Sequence, residues 1–437
     1  MTALLLSSLD DESSPEPPVA ALRDVRSDGN IPKGWELAQL TTVAQLESGH
    51  TPSRKKPEYW GGGIPWLSLH DTDILDSFEV FNTSQSITQK GIDNSSARVL
   101  PKGTVVFSRT ATVGKATVLG REMATSQDFA CYICGPRVQN HFLVYLFRHM
   151  APEWRRYMAG STHNTVYMPV FRTLRVPLPP RPEQEAIAEA LRDADALIES
   201  LERLITKKRA VKQGAAQDLL SGRMRLPGFG EEWKYPPFGS VFEFLATATN
   251  SRADLKPEGD AYYVHYGDIH TRFHTHLDFR ASTPPKITRA RCPAAATLRN
   301  GDWIMADASE DFDGVGKSVE VRGLGPDDVA VAGLHTFLLR ERVPTFVPGF
   351  KGHLGAAEYL RKQYMRVMTG MKVYGVSKTA LRDLLIPVPP ADEQAALVEV
   401  LDDFNADIAA LETRLGKARQ IKQGMMHELL TGRVRLV

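Results

Sequence analysis

A stretch of 50 residues occurs twice in this chain and constrains its fold more than any other feature. Residues 177–226 read PLPPRPEQEAIAEALRDADALIESLERLITKKRAVKQGAAQDLLSGRMRL, and residues 387–436 read PVPPADEQAALVEVLDDFNADIAALETRLGKARQIKQGMMHELLTGRVRL. The copies align without a gap, from Pro177 to Pro387, at an offset of 210 residues, and about half of their positions are identical. Repetition on this scale indicates a duplicated domain rather than a short-period solenoid.

Each copy predicts one long helix with a narrow apolar seam. A Pro-x-Pro-Pro segment favours extended chain, and acidic residues follow at the expected helix start. Each helix ends at Leu-Leu-Ser/Thr-Gly, where Gly222 and Gly432 suit the left-handed position after the C-cap. From Glu183 to Leu220 such a helix is about 57 Å long. Apolar side chains recur at steps of four and three, and the seam residues are Ile187, Leu191, Ile198, Leu201, Ile205, Leu397, Leu401, Phe404, Ile408, Leu411 and Leu415.

A seam this narrow requires a partner helix, and the other copy is the obvious partner. A domain folds after the first helix, so the second helix returns most directly antiparallel to it. We therefore predict two globular α+β domains joined by two long antiparallel helices that form an intramolecular coiled coil with pseudo-twofold symmetry. The predicted segments are a disordered tail over 1–30, a first domain over 31–180, a first spacer helix over 181–222, a second domain over 223–390 and a second spacer helix over 391–437.

The two predicted domains share a frame but differ in their loops. Residues 64–74 and 260–270 both read as an apolar strand that runs into a polar loop. Residues 100–118 and 298–321 both read as a strand, a loop and a Gly-Lys turn. Matching frames with different loops are expected of two readers that are built on one scaffold and recognise different targets.

Composition places the chain among ordinary globular proteins and indicates its compartment. It has 437 residues, of which 42% are hydrophobic and 24% charged. No apolar run in the sequence approaches the length that crosses a membrane, and there are three cysteines. These features predict a cytoplasmic protein with no membrane partner.

The familiar catalytic motifs fail in this sequence. GVGKS at 314–318 resembles part of a phosphate-binding loop, but Asp311 stands where its first glycine belongs. We therefore assign no catalytic residue, no metal ligand and no cofactor. Two interpretations need no DNA. One is a scaffold that does not touch DNA, and the other is a metal-dependent hydrolase that uses the cluster His265, His270, His274 and His276.

The polar loops carry side chains of the types that read base edges and hold phosphates. The candidate DNA contacts of the first domain are Arg54, Lys55, Lys56, Tyr59, Trp60, His70, Arg109, Thr110, Lys115, Ser161, His163, Asn164 and Tyr167. Those of the second domain are Asn250, Arg252, His270, Arg272, His274, Lys317, Lys372 and Tyr374. The net charge is only +1, which predicts that a partner supplies much of the phosphate contact.

The repeated architecture resembles the specificity subunit of Type I restriction–modification systems. The resemblance covers residues 31–437 and rests on two divergent domains, each followed by Pro-x-Pro-Pro-x-x-Glu-Gln and a long helix that ends Leu-Leu-Ser/Thr-Gly-Arg. It implies a non-enzymatic subunit whose two target recognition domains each read one half of a bipartite sequence in double-stranded DNA. It further implies a role in phage defence, with methyltransferase subunits, in two copies, and restriction/translocase subunits as partners.

Overall fold

The computed structural model describes residues 31–158, 164–311, 314–355 and 357–436. The chain divides into two compact units, of which the first ends at Ser200 and resumes at Leu415, and the second comprises Leu201–Arg414. The predicted disordered tail, residues 1–30, lies outside the described residues. So do Ser161 and His163 among the candidate DNA contacts.

The first unit is a mixed α+β domain. Its strands are β1 (Glu36–Gln39), β2 (Ala44–Ser48), β3 (Trp60–Leu67), β4 (Glu79–Val80), β5 (Gln85–Ile87), β6 (Val105–Ser108), β7 (Ala116–Leu119), β8 (Ala124–Thr125), β9 (Phe129–Cys134) and β10 (Arg175–Leu178). Its shorter helices are α1 (Gln89–Asp93), α2 (Asn140–His149), α3 (Ala151–Tyr157) and α4 (Met168–Thr173), with 3₁₀ segments at Leu40–Thr42, Pro57–Tyr59 and Leu69–Asp76. The long helix α5 (Arg181–Leu220) follows directly.

The second unit is likewise a mixed α+β domain. Its strands are β11 (Phe242–Leu245), β12 (Ala261–Val264), β13 (His276–Asp278), β14 (Lys286–Ile287), β15 (Trp303–Ala306), β16 (Ala308–Ser309), β17 (Ser318–Arg322), β18 (Ala330–Ala332), β19 (Thr336–Glu341) and β20 (Tyr374–Gly375). Its helices are α6 (Phe238–Val241), α7 (Tyr266–Thr271), α8 (Phe350–Leu354), α9 (Glu358–Val367) and α10 (Lys378–Asp383), with 3₁₀ segments at Arg252–Asp254 and Arg289–Arg291. The second long helix is α11 (Ala391–Leu430).

The strand order of the two units is the same. A five-stranded sheet runs β2-β9-β6-β7-β4 in the first unit and β11-β19-β15-β17-β13 in the second. A three-stranded sheet runs β5-β3-β8 in the first and β14-β12-β18 in the second. Even the parallel pairs correspond, since β4 pairs with β7 as β13 does with β17, and β3 pairs with β8 as β12 does with β18. The prediction of one duplicated scaffold is confirmed.

The sequence explains why the central strands form and where they lie. Strands β6 (VVFS) and β9 (FACYIC) consist mostly of β-branched, aromatic and other apolar residues, and such residues suit a strand that is covered on both faces. Helix α2 packs its apolar residues into the same core, where Phe142, Tyr145 and Phe147 are fully buried beside Phe107 and Trp154. The sheets are therefore rigid frames that present the loops at their strand ends.

Both long helices were predicted nearly to their limits. Helix α5 begins at Arg181, two residues before Glu183, and both helices end at the paired leucines of the Leu-Leu-Ser/Thr-Gly motif. Gly222 and Gly432 have φ angles of 71° and 72°, the left-handed conformation expected after a C-cap. Across the described residues, no helix combines the length and apolar character needed to cross a membrane.

Candidate nucleic-acid interface

The two long helices run antiparallel in each unit. In the second unit, Lys208 pairs with Asp407 at 2.7 Å, and Lys212 donates to the side-chain oxygen of Asn405 at 2.5 Å. A higher residue number on α5 thus meets a lower one on α11. In the first unit, Lys422 pairs with Asp195 at 2.5 Å. At the repeat offset of 210 residues, these two positions correspond to Lys212 and Asn405. The predicted antiparallel pairing is confirmed.

The seam residues serve two different cores. Ile187 and Leu191 are buried in the core of the first unit, and Leu397 and Leu401 are buried in that of the second. The middle of the seam is a helix-to-helix contact, where Leu201, Ile205 and Ile408 are buried. The remaining seam residues are half-buried, and they are Ile198, Phe404, Leu411 and Leu415. Only the middle turns of the seam therefore form a coiled coil, because the outer turns are parts of the domain cores.

A Trp-Glu-Arg triad fixes the start of each long helix. Glu183 accepts hydrogen bonds from Trp35 Nε1 at 3.0 Å and from Arg435 Nε and Nη2 at 2.5 and 2.7 Å. The guanidinium of Arg435 also lies over the Trp35 ring, 5.6 Å from its centroid. The same contacts recur around Glu393, with Trp233 and Arg225 as donors. The Glu and the final Arg of the repeat motif therefore meet in space, with one supplied by each copy.

The glutamine that follows the glutamate joins the helix to its domain. Gln184 Nε2 donates to the carbonyl oxygens of Pro179 and Arg137, and its Oε1 accepts from the backbone N–H of Gln139. Gln394 makes the matching contacts with Pro389, Thr345 and Val347. These bonds satisfy a fully buried amide and fix the angle at which each helix leaves its domain.

The first recognition loop presents a stacked arginine. The guanidinium of Arg54 lies 3.8 Å from the centroid of the Trp60 ring, and its Nη2 donates to Gln85 at 2.9 Å. Lys55 and Lys56 are exposed on the same loop. Tyr59 is only 6% exposed, which corrects its prediction as a DNA contact, because its ring belongs to the domain interior.

Two polar loops of the first unit meet at Gln127, a residue the sequence analysis missed, and a third joins them through Arg109. Its side chain accepts from Thr51 Oγ1 at 2.6 Å, and its carbonyl oxygen accepts from Arg109 Nε and Nη2 at 3.0 and 2.7 Å. Arg109 Nη1 reaches the carbonyl oxygen of Val166 at 3.4 Å. The loops at 49–56, 109–115 and 164–167 are therefore adjacent, as a single recognition surface requires.

Not every predicted contact of the first unit is free to meet a ligand. Arg109 donates its hydrogen bonds to loop carbonyl oxygens, and burial lowers the pKa of its guanidinium. Lys115 pairs with Asp76 at 2.7 Å and donates to the Thr72 carbonyl oxygen at 3.2 Å. Both residues brace the loops rather than extend from them. The side chains left open to solvent are Arg54, Lys55, Lys56, His70, Asn164 and Tyr167, while Trp60 and Thr110 are half-buried.

The second unit builds its surface around Asp268. This carboxylate is 1% exposed and accepts from Arg252 Nη2 at 3.0 Å, with Arg272 Nη1 at 3.7 Å. His270 Nε2 lies 3.2 Å from the carbonyl oxygen of Ala308, on the strand that pairs with Tyr374 and Gly375. The predicted residues Arg252, His270, Arg272 and Tyr374 are thus brought together. Asn250 is half-buried, and Lys317, Lys372 and His274 are exposed.

Two residues of this surface, Tyr266 and His335, escaped the sequence analysis. The Tyr266 ring contacts His265, His270 and His335, with centroids 4.6, 5.8 and 5.4 Å apart. His335 has a φ of 55° and lies 3.3 Å from Asp307, whose pKa is raised by burial and lowered in part by His335. His335 has no sequence neighbour of similar chemistry, so no local pattern could have identified it.

The four histidines at 265, 270, 274 and 276 do not converge on one metal site. His265 Nδ1 accepts from the Gly267 N–H and caps α7, His270 contacts Ala308, and His274 is exposed. His276 lies on β13 beside His353 and Asp402, and within the described residues that trio is the one group of metal-ligand type. The hydrolase alternative depended on this cluster, and it is wrong.

Known proteins share this architecture. The chain is similar over 93% of its length to the HsdS subunit of Thermoanaerobacter tengcongensis, a crystal structure of which it covers 99%, with a TM-score of 0.55 and 18% identity. That likeness defines the class of fold. Residues 32–208 match the family described as Type I restriction modification DNA specificity domain. In sequence over this part and in fold over nearly all of its length, the chain is similar to the specificity subunits of Type I restriction–modification systems.

Two relatives from Methanocaldococcus jannaschii show how far the similarity extends. The specificity subunit of the Type I restriction enzyme MjaIX is 31% identical over 174 residues, which are 39% of this chain and 40% of that protein. The specificity subunit of MjaVIII is 20% identical over 93% of this chain and 94% of its own length. The first match is strong but spans less than half of either protein, and the second spans nearly all of both.

Proposed function

We propose that this chain is the DNA-reading subunit of a Type I restriction–modification complex and that its two domains recognise the two halves of a bipartite target in double-stranded DNA. The observation that carries the proposal is the duplicated strand order with different polar surfaces on the two copies. One scaffold displays Arg54 on Trp60, and the other displays Arg252 and Arg272 around Asp268. Side chains of these types read base edges in the major groove.

The same proposal assigns the chemistry to other subunits. As a specificity subunit the chain is the recognition component of the enzyme and is not itself the catalyst. We infer two methyltransferase subunits and the restriction/translocase subunits as its partners, acting together in phage defence. A net charge of +1 supports this division, because a stand-alone DNA binder ordinarily shows a marked basic excess.

The domain limits and compartment belong to the proposal too. We assign residues 31–180 and 223–390 to the target recognition domains, and 181–222 and 391–437 to the spacer helices. We place the complex in the cytoplasm, where DNA and its methyl donor are available. All three cysteines, Cys131, Cys134 and Cys292, are free thiols, which suits a reducing compartment.

Domain replacement tests the proposal directly. The chain is co-expressed with its methyltransferase partners, and residues 31–176 are replaced with the corresponding domain of another specificity subunit. Sequencing of methylated DNA should show that one half of the recognised motif changes while the other is retained. A change in both halves would contradict independent reading, and a complex that methylates no specific motif would support the scaffold alternative.

A point substitution tests the surface within one domain. Arg54→Ala should weaken binding of the complex to its own target by about 1–3 kcal/mol if the guanidinium reads a base, or reduce the salt dependence of binding by about one charge if it holds a phosphate. Lys102→Ala is the matched control, because it also removes one exposed positive charge. Lys102 precedes β6, whereas the 109–115 loop of the recognition surface follows that strand. Equal effects of the two variants would exclude the 49–56 loop, which carries Arg54, from the interface.

A further inference from the structure

Three side chains of the second unit converge at the junction of its sheet with a long helix. His276 lies on β13, His353 on α8 and Asp402 on α11. Asp402 Oδ1 is 2.9 Å from His353 Nε2 and 3.6 Å from His276 Nε2. One ligand atom from each of the three lies within 4.8 Å of the other two. The two imidazole rings are nearly perpendicular, at 87°, with centroids 5.3 Å apart.

Both histidines are buried, but hydrogen bonding within the chain accounts for only one of them, His353. The side chain of His276 is 6% exposed and that of His353 is 4% exposed. Neither ring nitrogen of His276 has a hydrogen-bond partner. Burying a polar ring without a partner is unfavourable, and native proteins rarely retain such a group without a reason. An imidazole nitrogen directed at a second imidazole and a carboxylate is the arrangement that a cation would satisfy.

The backbone around the trio holds it in place. Strand β13 pairs in parallel with β17, which sets His276 beside Glu320. The Glu320 carboxylate accepts from the N–H groups of Gly349 and Gly352, at 2.9 and 3.1 Å, and so fixes the start of α8. A Cβ on Gly352 would lie 2.5 Å from the His276 ring. The glycine therefore leaves the space that the imidazole occupies, and His353 follows it directly.

We propose that His276, His353 and Asp402 bind one divalent transition-metal ion of the Zn²⁺ class and thereby connect the second recognition domain to its spacer helix. Two imidazole nitrogens and one carboxylate are a ligand set that Zn²⁺ and Co²⁺ accept, with water available for a fourth position. The metal is structural and performs no reaction. This site departs from the sequence analysis, which assigned no metal ligand.

Nearby cations limit how tightly the ion is held. Arg322 Nη1 lies 4.0 Å from Asp402 Oδ2, although its Nε is engaged by Asp278 at 3.0 Å. Lys212 is held by Asn405, whose own amide is 3.4 Å from Asp402 Oδ1. Positive charges at these positions oppose a second cation, so we expect them to weaken the affinity of the site for the ion.

The site belongs to one half of the chain. At the repeat offset, the residue that corresponds to Asp402 is Arg192, which cannot ligate a metal. The proposal therefore predicts one metal ion per chain and not two. It goes beyond DNA reading, because neither the recognition loops nor the pairing of the helices requires it.

Metal titration of the untagged full-length chain tests the inference. The protein is stripped with a chelator and titrated with Zn²⁺ by calorimetry and with Co²⁺ by visible absorption. We expect one equivalent to bind, with absorption bands of low-coordinate Co²⁺ and a rise in the unfolding temperature. Absence of saturable binding, or binding without a rise in that temperature, would overturn the proposal.

Variants identify the ligands. His276→Ala and His353→Ala should weaken Zn²⁺ binding by about tenfold or more and abolish the Co²⁺ spectrum. His274→Ala is the matched control, since it removes an exposed histidine two residues from His276 and should retain both. Asp402→Asn preserves side-chain shape, and it should weaken binding even if an alanine variant fails to fold. Metal binding that survives in Asp402→Asn and both alanine variants, or is lost in His274→Ala, would place the ion elsewhere and refute the site.

Discussion

Arg225 donates two hydrogen bonds to the carboxylate of Glu393, from Nε to Oε1 at 2.5 Å and from Nη2 to Oε2 at 2.6 Å. The glutamate is fully buried, whereas the arginine remains about a quarter exposed. Arg225 follows the first long helix, and Glu393 begins the second. The end of one repeat is therefore joined to the beginning of the other by a bidentate ion pair, which is stronger and more directional than a single charge contact.

Glu393→Gln should lower the free energy of unfolding by about 2–5 kcal/mol, because it removes the charge that compensates Arg225 and weakens the bond from Trp233. Chemical denaturation monitored by circular dichroism measures the change. Asp392→Asn is the control, since this neighbouring carboxylate is exposed. Equal stability of the two variants would show that the pair does not stabilise the helix start.

Charge in the middle of the seam should be more damaging. Placing glutamate at both Leu201 and Leu411 puts two charges in an apolar contact between the helices, and should cost about 3 kcal/mol or more. DNA binding by the assembled complex should fall in parallel. Leu204→Glu, at an exposed position on the same helix, is the control. Unchanged thermal stability and unchanged DNA binding in the double variant would show that the seam does not stabilise the fold.

The length of the spacer helices should set the gap between the two half-sites. Inserting one heptad after Ile198 and one after Ile408 keeps the seam in register and lengthens each helix by about 10 Å. The recognised half-sites should stay the same while the unread spacer grows by about three base pairs. Sequencing of methylated sites measures both. An altered half-site with an unchanged spacer would show that the helices are not the ruler.

Acid should weaken the second domain through His265. Burial, and next the charge of Arg252, lower the pKa of this histidine, and its Nδ1 accepts a hydrogen bond from the Gly267 N–H. The unfolded chain therefore binds this proton more tightly than the folded one, so stability contributed above about pH 6.5 is lost as the pH falls through the lowered value. His265→Asn, which retains an acceptor, should flatten the decline in unfolding temperature over this range. His274→Asn should leave the decline unchanged, and a flattening in that variant instead would assign the effect to another histidine.

The parts of the structure that the sequence predicted are those with local or repeated patterns. The seam from Ile187 to Leu415 and the terminal glycines are periodic or positional signals, so the helices could be placed within two residues. The matching sheets followed from comparing one copy with the other. The surfaces could not be predicted in the same way, because Gln127 and His335 reach their partners only through long-range strand order.

Some errors have a similar cause. Tyr59 stands in a loop rich in lysine, and its neighbours indicate exposure, but a 3₁₀ turn directs its ring into the domain. His276 is close to three other histidines along the chain, yet the strand that carries it faces α8 and α11. Spacing along the sequence cannot distinguish these cases, since the direction of a side chain depends on the element that the residue joins.

The two glycines that follow the long helices occupy equivalent surroundings. Gly222 lies against Trp233, to which the chain connects it directly, and Gly432 lies against Trp35 and Pro32, at the other end of the described chain. The two junctions are thus equivalent, although the described backbone continues through only the first of them. A circular permutant that joins residue 436 to residue 31 by a short linker and opens the chain between 226 and 233 should keep every contact described above. Cyclic order, rather than the position of the first residue, is what this architecture specifies.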